Sequence, residues 1–420
     1  MITYDRRALA DTNNGIIWSQ FGEVLRDVDN TGVNLSLITK ILQRPTCKAV
    51  YRLFLLNPDE TIDYEIPSKD IILNSGNYTE NYQNGQRKSV NINLINTDGR
   101  YTPGINTIWV HNRFRFDVGL EADGVTYWFP RGIYILGNPQ DTHQISDKQV
   151  SLTLVDKFAL LEGKAGTLEA TYEIPVDSDI EQAIMGILTL DNGAGYPIDL
   201  KPIIYDDAFK GLKMPYTLSK DAGSTLGEMI LEIATILNAE CYYNSQGNLC
   251  FISINETTLD TQKASLWDYE EGDRNYLGAT ASYDFENAVN EVHVVGDNIN
   301  NEIFSAMARN DNPTSPLCVQ RVGRRISYIN DSSIYSDDLA QQRANYELRK
   351  VSILKTTMTL SVAYNPLLFV NNLITIVDEH YKLNRARFLI QSISFTIGEG
   401  NAMSISCSNI ANFNSEIEVI

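Results

Sequence analysis

The residues that could do chemistry in this chain are few, and their spacing does not suit catalysis. Glu270 and Glu271 offer the two carboxylates that glycoside cleavage needs, but adjacent residues in a loop rarely face one substrate. His293 lies inside an apolar strand, where a structural histidine is commoner than a catalytic base. The chain contains no GxxxxGK[ST], GxGxxG, HExxH or GxSxG motif. We therefore predict no catalytic, cofactor-binding or metal-binding residues and no enzymatic activity.

Metal ligands and thiols also lack a functional spacing. The four histidines are scattered, at positions 111, 143, 293 and 380. Asp27–Gly32 resembles the start of a calcium loop, but the twelfth position, which needs a glutamate, is Ile38. The five cysteines form no C-x-x-C motif, and their odd number fits a reducing cytoplasm. Cys241 and Cys250 flank a turn, where we predict packed thiols rather than a disulfide.

Composition bounds the class of protein. A chain of 420 residues with 43% hydrophobic and 21% charged residues is expected to form two or three globular domains. Its formal charge of -19 argues against a surface that grips nucleic-acid phosphates, because such surfaces cluster Lys and Arg. We find no signal-peptide pattern at the start and no run of eighteen apolar residues, so we predict neither secretion nor a membrane span.

A three-strand pattern occurs twice in the chain. The first copy has alternating or apolar segments at Arg113–Val118, Gly132–Leu136 and Gln149–Leu154, and the second at Leu373–Asp378, Arg387–Ile390 and Met403–Ser408. Strand starts are 19 and 17 residues apart in the first copy (114, 133, 150) and 15 and 15 in the second (373, 388, 403). The pattern predicts either a repeated closed barrel or two unrelated antiparallel sheets with a common spacing.

Helical patterns separate the two copies. Ser178-x-x-Glu181 and Thr225-x-x-Glu228 predict capping boxes, each followed by a helical apolar stripe. A hairpin is predicted around the turn Asn244–Gly247 and a further helix over 337–350. The predicted fold is mainly β with an α+β insert: two similar small β-barrel domains flank a middle α+β domain. The expected divisions are an arm at 1–46, a first barrel at 47–166, a middle domain at 167–280, a second barrel with one helix at 281–412 and a tail at 413–420.

Several runs carry a resemblance to a known family. They are Asn84–Val90, Asn96–Pro103, Trp128–Tyr134 and Leu154–Lys157 in the first predicted barrel, Glu240–Leu249 in the middle domain, and Asn287–Gly296 at the opening of the second barrel. In order and spacing these runs resemble the tail hub or baseplate hub proteins of bacteriophages. That family is related to phage late control proteins and to the hub part of type VI secretion spikes. The resemblance spans about residues 48–410.

The resemblance implies a structural virion protein at the tail tip or baseplate, assembled in the bacterial host cytoplasm. A homotrimer with two barrels per chain would present six similar units. Such a ring could join a hexameric tail tube or distal tail protein to a three-fold spike or fibre protein. A tape-measure protein and DNA would pass through the lumen without specific binding. No lysozyme or peptidase module is recognisable in the sequence.

Two alternatives remain open at this level. A receptor-binding or carbohydrate-binding tail tip protein would use exposed aromatics for sugar stacking, and the chain has 22 Tyr and 4 Trp, although core packing accounts for such residues more simply. Residues 256–297 contain ten acidic residues against Lys263 and Arg274. This acidic run is either a solvated connector or the wall of a lumen.

Overall fold

A computed structural model describes residues 25–26, 40–42, 48–105, 107–122, 124–145, 147–191, 193, 195–237, 239–253, 265–299, 302–330, 336–351, 356–398 and 402–409. The strands up to residue 156 are β1 (Leu25–Arg26), β2 (Lys48–Leu56), β3 (Ile62–Ile66), β4 (Gly76–Asn81), β5 (Lys88–Ile95), β6 (Arg113–Ala122), β7 (Val125–Leu136), β8 (Gln140–His143) and β9 (Lys148–Asp156). The next are β10 (Tyr172–Ile174), β11 (Ile204–Tyr205), β12 (Leu218–Lys220), β13 (Ala239–Tyr243) and β14 (Leu249–Ser253). The last are β15 (Trp267–Glu270), β16 (Tyr276–Tyr283), β17 (Glu291–Ile299), β18 (Glu302–Arg309), β19 (Ile326–Asn330), β20 (Thr356–Ala363), β21 (Leu373–Asp378), β22 (Leu383–Ile397) and β23 (Ala402–Asn409). The helices are α1 (Ile180–Leu188), α2 (Leu226–Leu237), α3 (Val319–Val322) and α4 (Asp337–Val351).

One sheet of 15 strands dominates the fold, in the order β16-β20-β23-β22-β4-β5-β9-β7-β6-β2-β3, with β1, β8, β15 and β21 alongside. The mainly β class is confirmed, but no sheet built from the described strands closes into a barrel, so the prediction of two closed barrels is corrected. The reason lies in β22, which is 15 residues long. It pairs with β21 through one part and with β4 through another, and so joins strands of both predicted barrels into one open sheet.

The two halves of this sheet share a strand order. The first half, β2–β9, contains the antiparallel series β4-β5-β9-β7-β6, and the second half, β15, β16 and β20–β23, contains the antiparallel series β16-β20-β23-β22-β21. In both series, neighbouring positions in the sheet are filled by strands in the same relative order along the chain. The expected recurrence of three strands therefore extends to five. The small strand β8 also has a counterpart. It pairs with the start of β9 as the end of β22 pairs with the start of β23.

Pairing register fixes which positions of the two halves correspond. Tyr134 pairs with Phe114 and Asp156, and Phe388 pairs with Ile374 and Asn409. Counting back six residues from Asp156 and Asn409 then matches Val150 with Met403, as the sequence predicts. For the other two strands, the correspondence predicted from strand starts is wrong by one residue. Phe114 corresponds to Ile374 rather than Leu373, and Phe388 corresponds to Tyr134 rather than Ile133.

The two halves share one apolar core. Tyr78 of the first half is fully buried and stacks on Phe395 of the second half, with ring centroids 4.8 Å apart. The same ring lies 6.5 Å from Phe116, on the first half's own β6. Because buried apolar side chains of both halves form one contiguous cluster, neither half has a separate core. Among the described residues, no helix is long and apolar enough to cross a membrane.

A middle unit, residues 157–253, packs helices α1 and α2 against the β13–β14 hairpin. The stripe predicted for α1 is confirmed, since Ile180, Ile184, Ile187 and Leu188 are all buried. Its cap is not Ser178 but the next residue, Asp179, whose carboxylate accepts a hydrogen bond from the Gln182 amide. Thr225 caps α2 as predicted, with its hydroxyl accepting from the Glu228 amide 3.2 Å away.

The hairpin cysteines are packed thiols, as the sequence predicts. Cys241 and Cys250 are buried and free of a disulfide, and Cys241 faces Phe251 across the hairpin. Burial raises the pKa of the Cys250 thiol to about 12 and that of Cys241 further still. Both therefore stay protonated at neutral pH and behave as small apolar side chains.

A third unit is inserted in the sequence between β16 and β20 of the second half. Strands β18, β17 and β19 form a separate three-stranded sheet, with β17 in the centre and α4 packed over it. The predicted helix at 337–350 is confirmed as α4. The segment Asn287–Gly296 was expected to open the second barrel, but its strand β17 belongs to this separate sheet. Its neighbour in sequence, β16, supplies the edge of the large sheet instead.

Glu291 gives the third unit a pH-dependent ion pair. Its carboxylate is fully buried, accepts a 2.9 Å hydrogen bond from Arg324 Nε and lies 2.6 Å from His293 Nε2. The Arg324 hydrogen bond lowers the pKa of Glu291 to about 2, against desolvation and with help from His293. A lowered folded-state pKa stabilises the fold above the unfolded value near 4.5, and this contribution is lost as pH falls towards 2.

We expect the unfolding free energy of Glu291→Gln to fall much less than that of wild type as the pH is lowered from about 4.5 to 2, because the variant lacks the carboxylate whose ion pair is lost in this range. Urea unfolding followed at several pH values in that window measures the difference between the two proteins. Glu286→Gln, at an exposed carboxylate in the same segment, is the matched control and should keep the wild-type slope. Parallel pH profiles for wild type and Glu291→Gln would contradict this assignment.

Candidate functional site

Most of the acidic residues that the sequence offers as candidates for catalysis or a lumen wall make structural contacts. Glu270 is exposed, while the neighbouring Glu271 accepts a hydrogen bond from the Glu379 amide at 2.9 Å. Asp268, from the same acidic run, forms an ion pair with Arg385 at 2.9 Å. No group of three or more His, Cys, Asp or Glu residues in the described part of the chain is placed to hold a metal ion. The calcium-like segment Asp27–Gly32 lies outside the described residues.

The junction between the two halves is the most extensively built site in the molecule. The end of β22 pairs with β4 over six positions, from Ser392 opposite Asn81 to Ile397 opposite Gly76. Gly76 approaches the Asn91 carbonyl so closely that a Cβ atom there would overlap it. The backbone pairing of β22 with β4 therefore joins the two halves into one sheet.

The connection after β20, residues 364–372, adds side chains to this junction by crossing onto the first half. Arg131, fully buried, donates hydrogen bonds to the Tyr364 hydroxyl at 2.9 and 3.1 Å and to the Leu368 carbonyl at 3.0 Å. Its guanidinium also lies 4.7 Å from the Phe369 ring centroid. Four consecutive apolar residues of the connection, Leu367 to Val370, are buried. This connection is held by both packing and charge-assisted hydrogen bonds.

A second buried charge ties the middle unit to the same junction. Glu240, on β13, forms an ion pair with Arg87 of the first half at 3.0 Å and accepts from the Tyr82 hydroxyl at 3.2 Å. It also accepts a hydrogen bond from the Asn371 amide of the crossing connection. One carboxylate of the middle unit therefore bonds to groups from two other parts of the chain, so the relative positions of all three parts are coupled.

Solved structures with a similar fold include two tail proteins. The 43 kDa tail protein of prophage MuSo2 from Shewanella oneidensis matches with a TM-score of 0.55 at 13% identity, over 87% of this chain and 99% of that chain. The tail protein from Neisseria meningitidis MC58 matches with a TM-score of 0.53 at 12% identity, over 86% and 98% of the two chains. This chain has the fold of phage tail proteins. The resemblance to phage tail proteins that the sequence indicates is thereby confirmed.

A similar fold occurs in a protein complex as well. A chain of the Francisella PdpA-VgrG complex matches with a TM-score of 0.52 at 10% identity, over 90% of this chain but 56% of that one. A family model described as a domain of unknown function (DUF5048) matches residues 314–413, a quarter of the chain. No curated protein matches the chain.

Three of the sequence runs that carry the resemblance, Asn84–Val90, Leu154–Lys157 and Glu240–Leu249, meet in space within this fold. Asp156 accepts hydrogen bonds from the amides of Arg87, Lys88 and Phe158, which joins the ends of β5 and β9. Asn84 bonds to β13 of the middle unit, through its amide to the Ala239 carbonyl and through its oxygen from the Cys241 amide. These motif residues hold the first half and middle unit together.

Lys157, the last residue of one of those runs, lies at the centre of a buried ionic cluster. Its ammonium is 2.8 Å from the Asp199 carboxylate, 2.6 Å from that of Glu60 and 2.8 Å from the Gly247 carbonyl. Asp199 also accepts from the Tyr243 hydroxyl at 2.8 Å. Lys157 and both carboxylate side chains are almost completely buried. The cluster binds the middle unit to the first half.

Sequence reasoning quoted Arg131 and Lys157 within motifs but gave them no role. Both sit in or beside apolar strand residues, Arg131 between Pro130 and Gly132 and Lys157 before Phe158. A charged residue in such a setting is a signal for a buried ion pair, because burial without a partner is costly. The partners lie far away in sequence, up to 237 residues for Arg131, and could not be found from the pattern.

Proposed function

We propose that this chain is a structural hub of a phage tail tip or baseplate, which joins a hexameric tail tube or distal tail protein to a three-fold spike or fibre protein. The observation that carries the proposal is the duplicated sheet, with two halves of the same strand order fused through β22 and β4. The tail-protein fold supports the same role. Localisation in the virion and assembly in the host cytoplasm are part of this proposal.

The duplication suits a trimer. Three chains supply six similar half-sheets, which can face a six-fold tube, while the middle and third units occur once per chain and keep three-fold symmetry. A single ring can thus present six-fold character to one neighbour and three-fold character to another. The middle unit and α4 are accordingly candidates for the face that meets the spike.

We expect the purified protein to form a trimer of 47.2 kDa chains at micromolar concentration. Native mass spectrometry and light scattering over a dilution series measure the assembly state. A stable hexamer would contradict the proposal, because six chains would place twelve half-sheets in the ring. A protein that stays monomeric at the highest concentrations reached would contradict it equally.

The proposed lumen passes DNA and a tape-measure protein without holding either. The net charge of -19 supports an inner wall that is net acidic, with Glu270 and Glu286 among its exposed carboxylates. Such a wall repels phosphates rather than releasing counterions on contact. In a filter-binding assay at low salt we expect the trimer to retain little double-stranded DNA. Tight retention by the wild-type trimer would rule out the repelling channel.

A further inference from the structure

The connection that completes the junction within the chain has a counterpart in the first half, which buries Tyr101 and Ile108 but leaves other large apolar side chains exposed. Residues 364–372 connect β20 to β21, and residues 96–112 connect the corresponding strands β5 and β6. Three large apolar side chains of the first-half connection are exposed: Ile105 by 80%, Trp109 by 47% and Val110 by 65%. Exposed apolar groups on one connection indicate a surface that is buried in an assembly.

The site that such a connection would fill is also present in the chain, and no residue of the described ranges fills it. Following the strand pairs matches four first-half residues with second-half residues: Tyr78 with Ala281, Lys88 with Thr356, Arg131 with Arg385 and Asp156 with Asn409. The second-half members line a single cavity of about 440 Å³, together with Met358, Leu383 and Phe388. In the first half the corresponding position is occupied, since Arg131 and Lys88 both lie against Phe369 of the crossing connection.

The edges of the sheet match in the same way. Within the chain, the end of β22 pairs with β4. The counterpart of the end of β22 is β8, and the counterpart of β4 is β16. Among the described strands, β8 pairs only with β9 and β16 only with β20, so each keeps one free edge. Beside the free edge of β16, Leu277 and Phe285 are 59% and 66% exposed. A free edge next to exposed apolar residues favours pairing with another strand.

We propose that one subunit docks on the next by repeating its internal junction: β8 pairs along β16 of the next subunit, and Ile105, Trp109 and Val110 enter that subunit's cavity beside Arg385. The occupant is a second copy of this chain, because the chain itself carries both members of the contact on opposite ends. The inference rests on the proposed ring and supplies its subunit interface. Arg385 would meet an aromatic side chain as Arg131 meets Phe369.

The contact is heterologous, since different surfaces of the two copies meet. A heterologous contact generates a closed ring or an open filament, depending on its rotation. Here the rotation is set by the internal junction it copies. If each junction turns by one sixth of a circle, the ring closes after three chains. The same geometry leaves no free β8 or β16 edge in the closed ring, which removes the hazard of further strand addition.

The first test is the variant Trp109→Glu. We expect the protein concentration at which half of the trimer dissociates to rise by about 30-fold or more, as for loss of an aromatic hot spot. Tyr196→Glu, at an exposed aromatic of the middle unit, is the control and should assemble as wild type. Circular dichroism checks that both variants fold. An unchanged trimer with folded Trp109→Glu would overturn the proposed docking.

A disulfide trap provides an independent measurement. In the double variant Trp109→Cys and Arg385→Cys, oxidation should link neighbouring subunits, and a non-reducing gel should show a ladder ending at the trimer. Tyr196→Cys combined with Arg385→Cys should give no ladder. The four native cysteines within the described residues, Cys241, Cys250, Cys318 and Cys407, are buried, and Cys47, which lies outside them, is changed to Ser in both variants.

The outcomes separate this inference from the hub proposal. A wild-type trimer with no ladder, and with normal assembly of Trp109→Glu, overturns the docking while the hub stands. A ladder that runs on past the trimer into filaments supports the docking and overturns the closed ring. A wild-type chain that stays monomeric and gives no ladder overturns both.

Discussion

Changing Lys157 to methionine is expected to lower the free energy of unfolding by about 3–5 kcal/mol. The substitution keeps much of the side-chain volume but removes the ammonium that lies between the Asp199 and Glu60 carboxylates, 2.8 and 2.6 Å away. Asp199 is fully buried and forms no other ion pair with the described residues, so its charge is left largely uncompensated. Urea unfolding followed by circular dichroism measures the loss.

Two further variants distinguish a charge effect from a packing effect at this position. Lys164→Met changes an exposed lysine nearby and should alter the unfolding free energy by less than about 0.5 kcal/mol. Adding Asp199→Asn to Lys157→Met should recover part of the lost stability, because a neutral amide is cheaper to bury than an unpaired carboxylate. A loss below about 1 kcal/mol for Lys157→Met would show that the ionic cluster contributes little.

Changing Arg131 to leucine is expected to cost about 3 kcal/mol of unfolding free energy. The buried guanidinium donates to the Tyr364 hydroxyl and the Leu368 carbonyl, and leucine would leave both acceptors without this donor. Its positive charge also lies near the buried Glu80, which would lose that compensation. Because these acceptors belong to the crossing connection, proteolysis at residues 364–372 should accelerate together with the loss of stability.

The matched control is Arg385→Leu, at the corresponding position of the second half. Arg385 has a side chain that is 63% exposed and a single ion pair with Asp268, so its removal in the dilute monomer should cost less than about 1 kcal/mol. Equal losses for Arg131→Leu and Arg385→Leu would mean that the crossing connection is not held by Arg131. Denaturation of both variants at one low protein concentration makes the comparison direct.

Local patterns in the sequence predicted the local structure well. The apolar alternation around Phe114 and Met403, the stripe of α1 and the extent of α4 all follow from side-chain periodicity, which depends only on neighbouring residues. The cap of α1 was one residue out, since Ser178 and Asp179 are both good caps and the pattern cannot choose between them.

The pairing partners of strands could not be predicted in the same way. Alternation shows which face of β22 is buried but not which strand lies along its edge, and the edge decides between a closed barrel and a shared sheet. The roles of Arg131 and Lys157 were missed for a related reason: their partners are brought close only by the completed fold. Charged residues are usually exposed, so sequence alone favours the wrong environment for both.

The fusion of two half-sheets in one chain has a consequence for how fast and how completely a ring can form. Six separate half-sheets would need five encounters in solution to make one ring, whereas three fused chains need two. Each encounter costs translational and rotational freedom worth about 4–15 kcal/mol. The β22–β4 junction settles half of the contacts during folding, at an effective concentration set by the chain itself. In the proposed ring, duplication within one polypeptide would thus let six similar half-sheets assemble from three subunits.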